Sequence, residues 1–123
     1  KDSKLCNEIS AKCHIPVLPD EYSVEQIAGI LSGCGAVVGM RLHAVIYAVA
    51  AGAVPVGIVY DPKVEGFMKY VGSENYVDIA EISGKRLVEV TEKAMESQNS
   101  VDIEKFRKLA FRNAEIAAEL LRK

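Results

Sequence analysis

The chain has 123 residues, with 15 basic and 17 acidic side chains, a formal charge of −2, and half of its residues hydrophobic. That length and composition suit one globular domain with a real core. The near balance of charge excludes the broad basic field of a nucleic-acid binder, so any anion site must be local.

In chain order, Lys1 opens the sequence with no initiator methionine and no charged-then-apolar leader. No secretory signal is expected from such a start, and the chain reads as a fragment of a longer protein. Ser3 to Lys12 is predicted to be a helix with Leu5, Cys6, Ile9 and Cys13 facing inward, followed by a strand at Ile15 to Leu18 and a turn at Pro19-Asp20-Glu21. Ser23 and Gln26 have capping-box spacing, and Tyr22 and Ile27 are spaced as a hydrophobic staple across it. The helix that follows should bury Ile27, Ile30 and Leu31 and stop at Gly33-Cys34-Gly35. Ala36 to Gly39 is expected as a buried central strand that runs almost without linker into a helix headed by Arg41 and His43.

The uncharged run from Ala44 to Tyr60 reaches the lower limit for a membrane span, about 17 residues. Gly52 and Pro55 interrupt it, so it reads as a buried helix, a tight turn and a strand, Val54 to Tyr60, buried on both faces. Asp61 suits a helix N-cap and Pro62 the first helical position. That helix should run to Val71 and stop at Gly72. Tyr76 to Ile79 is expected as a short edge strand. Lys85 to Gln98 repeats Leu87, Val90, Thr91, Ala94 and Met95 at helical spacing. Ser100 or Asp102 can cap a last helix with an apolar stripe of Ile103, Phe106, Ala110, Ala114, Ala117 and Leu121, widened by Leu109, Phe111 and Leu120. Alternation of helix and strand implies an α/β, Rossmann-like, doubly wound and mainly parallel sheet. Cys6, Cys13 and Cys34 form no C-x-x-C pair and read as core thiols of a reducing compartment. With only His14 and His43 as histidines, no zinc ligand set is expected.

Two strand-to-helix junctions carry the chemistry. In an open parallel sheet, ligands collect outside the carboxyl ends of the strands. At Gly39-Met40-Arg41-Leu42-His43, the positive end of the following helix favours an anion, and an arginine adds a planar fork of donors suited to carboxylate or phosphate. At Tyr60-Asp61-Pro62-Lys63, a cation in the first helical turn opposes the helix dipole and gains if a bound anion shares the site.

The string G-M-R-L-H-A, followed after about ten residues by V-P-V-G-I-V-Y-D-P-K-V-E-G-F, resembles the C-terminal half of the polysaccharide pyruvyl transferases. These include bacterial enzymes that add pyruvate ketals to cell-wall polymers and exopolysaccharides. The resemblance is densest from Gly39 to Gly72. It implies the second of two Rossmann-like domains, arranged as in a GT-B fold, with the N-terminal domain lying outside this chain. It also implies phosphoenolpyruvate as the donor, a polysaccharide or lipid-linked saccharide as the acceptor, and neither a resident cofactor nor a metal.

Carried over by position, Arg41 and His43 match the motif's catalytic arginine and histidine. Arg41 would clamp the donor, and His43 would serve as a phosphate partner or a general acid. Gly39, Tyr60, Asp61 and Lys63 would complete the substrate-binding set. The expected location is cytoplasmic, with no transmembrane segment and with association at the inner face of the membrane left open. Two other readings stand beside this one. A GT-B glycosyltransferase or epimerase-like domain would hold a nucleotide sugar, although G-x-G-x-x-G is absent. A non-catalytic domain would serve carbohydrate binding or assembly.

Overall fold

The computed structural model describes residues 2–97 and 101–121. Its elements run α1 (Asp2–Cys13), α2 (Val24–Ser32), β1 (Ala36–Gly39), α3 (Leu42–Ala50), β2 (Val54–Val59), α4 (Pro62–Tyr70), β3 (Tyr76–Asp78), α5 (Gly84–Ser97) and α6 (Ile103–Leu121). The three strands form one parallel sheet in the order β1-β2-β3. Ala36 pairs with Val54 and Gly39 with Gly57, while Gly57 also pairs with Tyr76. Successive parallel strands joined through helices make this the α/β, Rossmann-like architecture that the sequence pattern predicts.

Alternation along β2 divides the core. Val54 and Val56 join Val77 of β3 and Val90 and Ala94 of α5 in one buried cluster. Val59 joins Val45 of α3 and Val64 and Met68 of α4 in another. Helices therefore cover both faces of the sheet, and β2, buried at five of its six positions, is the strand they enclose. Such a strand reads as a continuous apolar run, which is why V-P-V-G-I-V was legible.

The local punctuation follows the sequence closely. The Ser23 hydroxyl accepts from the Gln26 N–H at 3.3 Å, and the Gln26 side chain accepts from the Ser23 N–H at 2.9 Å, closing the capping box. Gly33 ends α2. Gly72, at φ +73°, takes the left-handed turn beyond α4 that L-residues avoid. Asp102 accepts from the Lys105 N–H at 3.1 Å at the head of α6. Ser100, the other candidate cap, lies outside the described residues, as do Gln98 and the side chain of Leu121.

Several expectations are corrected. Ala36–Gly39 is an edge strand of this sheet, not its centre, and Val38 is 43% exposed. Ile15 to Leu18 forms no strand; Ile15, Val17 and Leu18 are exposed in the connection between α1 and α2. Helix α1 forms as predicted, but Leu5, Cys6, Ile9 and Cys13 on its apolar side are all exposed. With the sheet ending at β1, neither segment has a ladder to join or a sheet face to cover.

Cys34 is only partly buried, so none of the three thiols is a core thiol. Ile27 and Leu31 of α2 are half-buried and Ile30 is exposed. In α5, Val90 and Ala94 are buried, Leu87 and Thr91 half-buried, and Met95 exposed. Among the described side chains of α6, only Ile103 and Phe106 are partly covered, Phe106 by the ring of Tyr70 at 4.9 Å between centroids. Ala110, Ala114 and Ala117 stand in solvent.

Candidate functional site

The carboxyl ends of β1 and β2 lie at one rim of the sheet, because the strands are parallel neighbours in register. Their two junctions are built alike. Each strand is followed by one connecting residue, Met40 or Tyr60, then by the helix N-cap, Arg41 or Asp61, and then by the helix itself. His43 and Lys63 consequently occupy the same position, the second residue of their helices.

The likeness stops at the caps. Asp61 accepts the Lys63 N–H at 2.8 Å, and Pro62 in the first turn brings no N–H of its own, so the head of α4 is satisfied internally. Arg41 cannot accept a hydrogen bond, and its side chain makes no cap bond to α3. Its carbonyl takes the Ala44 N–H at 3.0 Å and the Val45 N–H at 3.4 Å. The start of α3 thus carries the positive end of a helix dipole and the Arg41 guanidinium, with no acidic residue in its first turn. A helix N-terminus beside an arginine is a setting that favours a carboxylate or phosphate.

Arg41 and His43 are both exposed, whereas Gly39 is buried beneath α3. A Cβ on Gly39 would lie 3.1 Å from Ala44 Cβ and 3.1 Å from Val45 Cγ2. Glycine at this position lets the helix begin directly over the end of the strand.

Around the second junction the charge is reversed. A hollow of about 150 Å³ is lined by Val59, Tyr60, Asp61, Pro62, Glu65, Asp78 and Ile79. Its three carboxylates are already engaged. Asp61 caps α4, Asp78 accepts the Ala80 N–H at 2.8 Å, and Glu65 pairs with Lys69 at 2.7 Å. The hydrogen bond that Lys69 donates to Glu65, and then the charge of Glu65, raise the Lys69 pKa. Lys63 is exposed and does not line the hollow.

Of the residues singled out in the sequence, Gly39, Arg41 and His43 therefore share one basic turn, and Tyr60 and Asp61 share an acidic hollow beside it. Glu65 and Asp78 were not singled out by sequence reasoning, although both carried signals. Glu65 lies in the first turn of α4, and Asp78 ends the third strand at the same rim.

Comparison with known proteins gives one result on this geometry. The family model described as polysaccharide pyruvyl transferase matches residues 3–62, just under half of the chain. The matched range holds the whole first junction and the second as far as Pro62, so the family resemblance read from these motifs is borne out there. No curated protein and no solved structure matches the chain.

Proposed function

From the premise that residues 3–62 are polysaccharide pyruvyl transferase sequence, we propose that this chain supplies the donor side of a pyruvyl-transfer site. The reaction is transfer of the enolpyruvyl unit of phosphoenolpyruvate to two hydroxyls of one sugar. Both oxygens bond to C2 of the donor, C3 gains a proton to become the ketal methyl, the bond from C2 to the phosphate oxygen breaks, and inorganic phosphate leaves. The second hydroxyl proton passes to the departing phosphate or to solvent.

What carries this reading is the head of α3, where an arginine stands at the N-cap of the helix that follows β1, with no acidic residue in the first turn. Arg41 holds an anionic group of the donor through paired, charge-assisted hydrogen bonds. His43, one turn-start further on, acts on the phosphate side as a hydrogen-bond partner or as the general acid toward C3. Lys63 reaches from the neighbouring helix to add charge. The carboxylates of the adjoining hollow repel a phosphate and thereby confine the donor to the β1 side. The family's other domain completes the site across the cleft and reads the acceptor.

The test is an NMR titration of the isotope-labelled chain with phosphoenolpyruvate, run beside inorganic phosphate, pyruvate and UDP, with Arg41→Ala as control. Selective shifts from Gly39 to His43 with phosphoenolpyruvate, lost in the variant, are the expected result. A preference for UDP at the same turn would replace this reading with a nucleotide-sugar site. Titration of the full-length parent with no response to any donor would leave a non-catalytic carbohydrate-binding or assembly domain.

A further inference from the structure

Gly39 is not the only glycine beneath a site helix. Its register partner across the β1–β2 ladder is Gly57, in the middle of the enclosed strand. Both are buried. Gly39 lies under α3, and a Cβ on Gly57 would point into α4 and β3, 3.2 Å from Met68 Cγ, 3.3 Å from Tyr76 Cβ and 3.4 Å from Val64 Cγ1. Met68 and Val64 are at 0% and 1% exposure, so neither has solvent to yield into. Gly57 also sits only four residues before Asp61, the cap from which α4 starts.

We infer that Gly57 is a positioning residue for the proposed donor site: its missing side chain lets α4 seat low on β2 and sets where Tyr60 to Lys63 stand relative to Arg41. This inference rests on the reading of the site given above. A methyl at position 57 must lift α4 by a few tenths of an ångström, since packed interiors offer little slack. The displacement is passed along a short, well-capped helix to its first turn. The neighbouring strand would be pushed through Tyr76 as well, but of the residues given a part at the donor site β3 carries only Asp78, in the wall of the acidic hollow.

The experiment compares Gly57→Ala with Val90→Ala in the full-length parent enzyme. Val90 is buried in the cluster on the opposite face of the sheet, so its truncation lowers stability without touching α4. For the folded fraction of each variant, kcat/KM for phosphoenolpyruvate should fall roughly tenfold in Gly57→Ala, a part of the roughly hundredfold that a 1 Å misplacement costs. It should be unchanged in Val90→Ala. An equal effect in both variants, or none in either, overturns the inference and leaves Gly57 a packing residue.

The double variant Gly57→Ala/Met68→Ala removes the Cγ nearest the added methyl and carries the test even if the single variant does not fold. Efficiency within about twofold of Met68→Ala alone supports displacement of α4 as the cause, and a tenfold deficit overturns it. If the unaltered enzyme turns over no phosphoenolpyruvate, the reading of the site fails while the seating of α4 stays testable. Amide shifts confined to Asp61 to Glu65 in Gly57→Ala, absent in Val90→Ala, then support it, and their absence overturns it.

Discussion

At position 41 an arginine stands where helices ordinarily begin on serine, threonine, aspartate or asparagine. Twenty residues later the equivalent position holds the usual type, Asp61, making the usual bond. The contrast separates stability from function. Asp61→Ala should lower the unfolding free energy by about 1 kcal/mol, the worth of a lost cap, as read from denaturant midpoints. On the proposed reading, Arg41→Ala should instead weaken phosphoenolpyruvate binding by roughly 1.5–3 kcal/mol, the loss of one charge-assisted interaction, as read by calorimetry.

Glu25 gives a prediction in pH at the same scale. Hydrogen bonds from its own backbone N–H and then from the Ser23 hydroxyl lower its pKa. A lowered carboxylate contributes stability above its unfolded value and loses it as pH falls through the folded value. Glu25→Gln should therefore cost stability at pH 7, and the gap to the unaltered chain should close as the pH falls below the usual carboxylate range. A gap that persisted there would assign the effect to packing.

The short elements with strong local chemistry were readable from sequence. Ser23 with Gln26 and Asp61 with Pro62 are signals complete within four residues, and the unbroken apolar run of β2 can only be buried on both faces. Burial of the amphipathic helices was not readable in the same way. Periodicity shows that α1 has an apolar side, but it cannot supply the surface that would cover Leu5 and Ile9. For the same reason Ala36–Gly39 looked central, because edge and centre differ in which strands pair and not in composition. The turn proposed for the donor stood out in the sequence through Arg41 and His43, whereas Gly57 was hidden because a glycine's role lies in what surrounds it. The buried core draws on α3, α4 and α5 with the sheet, and on no residue of α1, α2 or α6 among those described. Hydrogen exchange should follow that division, with the amides of α1 and α6 exchanging first and those of β2 and α3 last. Protection of α6 equal to that of β2 in this chain would contradict it.

For the whole molecule, one group of apolar side chains left outside the core lies before residue 20, where Leu5, Ile9, Ile15 and Leu18 are all at least 43% exposed. Changing Leu5, Ile9 and Leu18 together to serine should alter the stability of this chain by no more than about 0.5 kcal/mol per site, since exposed positions carry little packing energy. The same changes in the parent enzyme would cost several times more if further chain covers this surface. A uniform effect in both would place a contact within residues 1–123 themselves. No helix of the described residues is long and apolar enough to cross a membrane. The run from Ala44 to Tyr60 is instead divided between α3 and β2 at a turn through Gly52, at φ +81°.

The register of the sheet bears on the shape of its rim. Gly39 ends β1 level with Gly57, but β2 runs on through Ile58 to Val59 before its own junction begins. Two further residues at roughly 3.3 Å each make a step on the order of 7 Å. The rim is a staircase, with Arg41 and His43 on the lower tread and Tyr60 and Asp61 on the upper. On the proposed reading, a small molecule resting on the lower tread is walled on one flank by the riser of β2, and the height of that wall is set by two extra residues of a single strand.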